Sequence, residues 1–147
     1  MTTQPIIIPI ADSGDDRYEL VESFRWAWHA DGAAWRIEVP KGFRLDGASV
    51  PGIATALTGI GRDGLHRAAA LVHDFLYRHG GRPPHGSFTK LNVAAADWLP
   101  CAAPWTREQV DKLFANMLAA AGVSKLRRRL MYLAVRAVGW RSWRTLP

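Results

Sequence analysis

Cysteine is nearly absent from this chain. The single Cys101 rules out an intramolecular disulfide, so packing rather than covalent staples must hold the fold, a usage that suits a protein made in a reducing compartment. Long apolar runs are also missing, and none approaches the roughly 20 residues of a membrane-spanning helix. The opening Met1–Ile10 has no basic start, and its short apolar run is broken by Pro5 and Pro9, so no secretory signal is expected there. Acidic residues are few. Thirteen face nineteen lysines and arginines, a net charge of +6, and from Lys125 to Pro147 there are seven cations and no carboxylate side chain. Such a balance favours anionic partners: a phospholipid surface, nucleic acid or an acidic protein. With no phosphate-cradling loop and no nucleic-acid signature beyond the basic tail, specific nucleic-acid binding is not expected.

What is present fits one α+β domain over residues 1–147, β-rich up to about residue 45 and a loop plus helices from 46 onward. Arg17–Glu22 reads as a short strand. Phe24–His29 and Ala34–Val39 alternate around the turn signal Asp31-Gly32, giving an antiparallel hairpin or small sheet whose Trp26, Trp28, Trp35, Ile37 and Val39 share a side. Three helices follow, at about 65–79, 106–121 and 124–139. Thr106 and Gln109 match a capping box, and Gly122 supplies a stop. Residues 80–105, rich in Gly, Pro and Trp, read as a long irregular connection.

His73-Asp74 lies within the apolar Ala68–Arg78 stretch, which reads as a buried helix. Titratable groups in such a place need partners, because an unpaired buried charge costs several kcal/mol. Asp111 sits on or beside the apolar stripe of Val110, Phe114, Met117 and Ala121 on a later helix. Two helices that each bring one polar group to a shared interface can make a His–carboxylate dyad. Upstream, Leu45-Asp46-Gly47-Ala48-Ser49-Val50-Pro51 reads either as a turn or as a loop offering the Asp46 carboxylate and backbone carbonyls to a hard cation. Asp74, about 100° around the helix from His73, is then a candidate for a further calcium ligand.

His73-Asp74-Phe75-Leu76-Tyr77-Arg78, the Asp46 loop and Asp111-Lys112-Leu113-Phe114-Ala115-Asn116-Met117 together resemble the prokaryotic phospholipase A2 pattern over the loop and three helices. From about residue 17 to 140 the chain is similar to an uncharacterised family of tailed phages and prophages. The first resemblance implies a three-helix phospholipase A2-like core with an antiparallel helix pair. His73 would be the general base and Asp111 the group that holds its tautomer, while Tyr77 would hydrogen-bond to Asp111. Asp46, the Gly47 carbonyl and Asp74 would hold calcium. The chain departs from the secreted lipases in lacking their disulfides, and Ala48 stands where they often have Cys.

Simpler readings stand beside these. A buried His is often only a bonded core residue, and Tyr77 and Tyr132 read as core. His29, His66, His79 and His85 show no zinc spacing, and Ser49 lacks a nucleophile-elbow context. The basic last helix can pack Leu126, Leu130 and Leu133 on the core with a solvated arginine face, or lie on an anionic membrane. Two functions are therefore expected alternatives. One is a calcium-dependent phospholipase A2-like ester hydrolase acting on membrane phospholipid. The other is a non-enzymatic phage virion or host-interaction protein that keeps the His–Asp pair as a brace. In either case the implied place is the host cytoplasm when made, then the virion, with anionic phospholipid or phage structural proteins as partners.

Overall fold

The computed structural model describes residues 7–9, 17–46, 67–101 and 105–143. Gly47, the remainder of the 47–51 loop and the side chain of Asp46 lie outside the described residues, and with them two of the three expected calcium ligands. Among the described residues, two antiparallel sheets and three helices make an α+β fold. β1 (Ile7–Pro9), β2 (Arg17–Leu20) and β5 (Arg44–Asp46) form one sheet in the order β1-β2-β5. β3 (Phe24–Ala30), β4 (Ala33–Val39), β6 (Phe88–Asn92) and β7 (Asp97–Pro100) form the other in that order.

The β3–β4 hairpin follows from its turn chemistry. Asp31 and Gly32 both take positive φ, +54° and +72°, the geometry whose twist matches that of the flanking strands. This fixes the register from Ala30↔Ala33 to Phe24↔Val39 and sets Trp26 opposite Ile37 and Trp28 opposite Trp35. Ile37 and Val39 are fully buried, and Trp26 and Trp28 pack against the core.

Residues 80–105 depart from the expected irregular connection. They contain β6 and β7, which extend the hairpin into a four-stranded sheet through Ile37↔Phe88 and Leu91↔Trp98. The strands are short and their connection has no Gly or Pro to mark it. The Asn92 side chain makes the turn instead, accepting from the Ala95 N–H, with Ala96 at φ +51°.

The helices are α1 (Arg67–Arg78), α2 (Arg107–Ala120) and α3 (Lys125–Val138), the last followed by a 3-10 turn at Gly139–Arg141. Every residue of α1 from Ala68 to Tyr77 is buried, so this helix is apolar nearly all round and central. It packs on β4, β5 and α2. Tyr77 meets Arg107 while His73 meets Phe114, so contacts run in opposite order and α1 and α2 are antiparallel. The capping box at the start of α2 is present in both directions between Thr106 and Gln109. At its end Gly122 (φ +87°) donates to the Ala119 carbonyl and buried Val123 to that of Leu118. This Schellman stop turns the chain back into α3.

α3 corrects one expectation. Its core-facing residues are Met131 and Val135, whereas Leu126, Leu130 and Leu133 point outward at 70%, 59% and 51% exposure. Periodicity permitted this because the helix carries two apolar stripes on nearly opposite sides, and only packing decides which is buried. Among the described residues no helix is long and apolar enough to cross a membrane.

Candidate active site

The centre of the molecule is a polar cluster held between the three helices. α1 brings His73 and Tyr77, four residues apart and therefore on one face, toward Asp111 of α2. His73 Nε2 lies 2.7 Å from Asp111 Oδ1, and the Tyr77 hydroxyl donates to the same oxygen at 2.5 Å. The other oxygen, Oδ2, accepts from Arg136 Nη1 of α3 at 2.9 Å and lies 3.6 Å from Arg107 Nη1. Arg107 also donates to the Tyr77 oxygen and to the carbonyls of Val135 and Arg136, tying the start of α2 to the last turn of α3. The imidazole is wedged between rings, with centroids 4.0 Å from Tyr77 and 4.8 Å from Phe114.

Two glycines allow this approach. The end of α3 passes so close to Tyr77 that a Cβ on Gly139 would stand 2.6 Å from the hydroxyl oxygen. Gly81, at φ +78°, lies against the Trp105 backbone, where a Cβ would meet the carbonyl oxygen, and its own carbonyl accepts from the Trp105 N–H at 2.8 Å. That bond fastens the end of α1 to the residue before the α2 cap.

His73, Tyr77 and Asp111, chosen from sequence, are thus brought together. Arg107 and Arg136 were missed. Arg107 was readable as an i,i+4 partner of Asp111, whereas Arg136, 25 residues further on, offered no local signal.

Residues 18–135 match the model of a family described as Protein of unknown function (DUF1353). The chain belongs to this family. No curated protein and no solved structure matches it. The match bears out the expectation of an uncharacterised family and carries no statement of phage origin or lipase likeness. It spans β2 to most of α3 and so includes four members of the cluster, stopping one residue before Arg136.

The electrostatics of this DUF1353 site follow from burial and bonding. Burial alone would raise the Asp111 carboxyl, but the hydrogen bonds from His73, Tyr77 and Arg136 together outweigh it and hold the group below the ordinary carboxylate range. Asp111 is therefore an anion. It accepts the Nε2–H of His73, which leaves Nδ1 as the bare, basic nitrogen. Desolvation lowers the His73 pKa despite Asp111, so the ring rests neutral. Tyr77 is pushed well above its usual value, first by burial and then by Asp111, and stays a phenol that donates. Nδ1 of His73 is buried and has no hydrogen-bond partner among the described residues. An unsatisfied buried acceptor costs about 1–3 kcal/mol, and a proton-accepting nitrogen without a donor is what a general base requires.

Asp74 is separate from this cluster. It is buried, and its Oδ2 accepts from Arg78 at 3.2 Å. As a hard anionic oxygen it suits calcium, and Asp46 offers a second carboxylate and Gly47 a neutral carbonyl oxygen. Among the described residues no group of three or more His, Cys, Asp and Glu could hold a metal ion. A cavity of about 350 Å³ opens on the other side of α2, lined by Trp28, Trp35, Phe88, Trp105, Lys112 and Asn116 among others, and none of the dyad residues faces it.

Proposed function

We propose that this protein is a phage-borne, calcium-dependent ester hydrolase of phospholipase A2 type, acting on membrane phospholipid. The observation that carries the reading is a neutral imidazole fixed through Nε2 by an ionised carboxylate, with its Nδ1 lone pair unpartnered. In the reaction, Nδ1 takes a proton from the water that attacks the ester carbonyl, and Asp111 stabilises the imidazolium that forms. The imidazolium returns the proton to the departing alkoxide as the acyl–oxygen bond breaks. Tyr77, Arg136 and Arg107 hold Asp111 still, so little reorganisation accompanies the charge. Asp46, the Gly47 carbonyl and Asp74 would hold calcium, and the chemistry that a bound calcium supplies is polarisation of the ester carbonyl.

The test is fatty-acid release from phospholipid vesicles, with calcium, with chelator, and by His73→Gln. Release should fall by at least about a thousandfold in the variant and to background with chelator. Release by the variant equal to the parent would end the hydrolase reading, and release that is indifferent to chelator would end the calcium part. The rate should rise with pH along a limb centred below 6.5, because His73 is depressed from that value and acts unprotonated.

One observation favours a second reading, a phage structural protein with the cluster as a brace. His73 is only 1% exposed, and Asp111, fully buried, already binds all three helices together. In that case His73→Gln unfolds the protein more readily and no ester is hydrolysed at any calcium concentration.

A further inference from the structure

Helix α3 is apolar on two opposed sides, and among the described residues only one of them has a protein partner. At 100° per residue, Leu126, Leu130, Leu133 and Ala137 fall within an arc of about 60°. Met131, Val135 and Val138 lie on nearly the opposite side, against α2 and the core. The outward stripe continues into the 3-10 turn at Trp140, which is 61% exposed. Scattered exposed leucines need no explanation, but a contiguous stripe rimmed by charge marks a contact surface.

The rim is of one sign. Arg127 and Arg129 flank the stripe, and Arg141 lies over the Trp140 ring at 5.3 Å. Some cations elsewhere on the surface are paired with carboxylates, Arg25 with Glu38, Arg44 with Glu19 and Lys112 with Glu108. Arg127 and Arg129 have no carboxylate partner among the described residues. The occupant must therefore bring negative charge on both sides of an apolar centre. A second copy of this face would bring arginine against arginine. The stripe is also a ridge on one helix, not a groove. A ridge of leucines with an aromatic end and a cationic rim fits the boundary between headgroups and acyl chains, where such helices sink about 5–10 Å.

From this we infer that the outer face of α3 docks the protein on an anionic phospholipid bilayer, with Leu126, Leu130, Leu133 and Trp140 in the apolar layer and Arg127 and Arg129 among the lipid phosphates. The inference deepens the hydrolase reading, resting on it for lipid as the substrate class, and it adds which lipid surface and which side of the molecule. None of the stripe residues belongs to the His73 cluster, so docking and chemistry use different residues.

Sedimentation with vesicles tests it. The full chain should bind vesicles containing phosphatidylglycerol at low salt, bind phosphatidylcholine vesicles weakly, and release as salt screens the arginines. Leu126→Gln with Leu130→Gln and Leu133→Gln should weaken partition at least tenfold, and Arg127→Gln with Arg129→Gln should remove the preference for anionic lipid. These side chains are exposed, and circular dichroism checks that both variants stay helical. His73→Gln should bind like the parent. No binding to anionic vesicles, equal binding by the leucine variant, or capture of an acidic protein with vesicles ignored would each overturn the inference. Vesicle binding without fatty-acid release leaves docking intact and sinks the hydrolase reading. Hydrolysis of a dispersed short-chain ester without vesicle binding does the reverse.

Discussion

Asp111 has the highest demand on its chemistry of any side chain here, because each of its oxygens serves a different helix. Asn keeps the shape but must aim an NH₂ donor either at His73 and Tyr77, which donate to Oδ1, or at Arg136, which donates to Oδ2. Asp111→Asn should therefore lower stability by about 2–4 kcal/mol, and if His73 is the base it should cost roughly three to four orders of magnitude in hydrolysis. Tyr77→Phe removes one of several donors and should cost only about 1–2 kcal/mol, with a rate loss of less than about tenfold. Equal effects of the two substitutions on urea midpoint and rate would show that the carboxylate has no special place. Gly139 offers a cleaner probe. Ala is the better helix former by up to about 1 kcal/mol, yet its Cβ would stand 2.6 Å from the Tyr77 oxygen and 3.0 Å from Cε2. Overpacking of about 1–3 kcal/mol should win, and a Gly139→Ala protein that melts higher than the parent would refute the contact.

At the scale of elements, what could be read from sequence was what is encoded locally. The Asp31-Gly32 turn fixes its own hairpin, and Thr106 with Gln109 marks the start of α2 within a residue of where it begins. Thr106→Ala should accordingly cost about 1 kcal/mol by thermal or urea melting, since one cap bond is lost and the Gln109 side chain still reaches back. An unchanged midpoint would mean that tertiary contacts alone hold that end. What could not be read depended on distant partners. β6 and β7 are short, and β6 is a strand because the open edge of β4 lies beside it, a pairing between residues 35–37 and 88–90 that no local window contains. The two stripes of α3 look alike in composition, so burial of Met131 rather than Leu130 is set by the surface of α2. The dyad was legible because a His in ten consecutive buried positions demands a partner, and Asp111 was the carboxylate on the matching face of another helix.

For the whole molecule, the cluster turns three helices into one pH-sensitive unit. His73 and Tyr77 belong to α1, Asp111 and Arg107 to α2, and Arg136 to α3, so a proton taken up by His73 or Asp111 acts on a network that all three helices share. The signs follow from linkage. His73 has a folded pKa below 6.5, so the unfolded chain binds its proton more readily, and the stability this group contributes is complete above pH 6.5 and lost as pH falls toward the folded value. Asp111 is depressed below 3.8, so its contribution holds above that value and is lost only in stronger acid. Acid should thus weaken the fold in two stages, a first decline beginning near pH 6.5 and a second beginning near pH 3.8. Urea midpoints measured across this range should show a larger first stage in the parent than in His73→Gln, where what remains belongs to groups outside the cluster. Because the three helices share one network, probes on each should report the same midpoint at every pH. A first stage that persists undiminished in the variant would place the titrating group elsewhere, and His79, lowered by burial and by Arg78, would be the next to substitute.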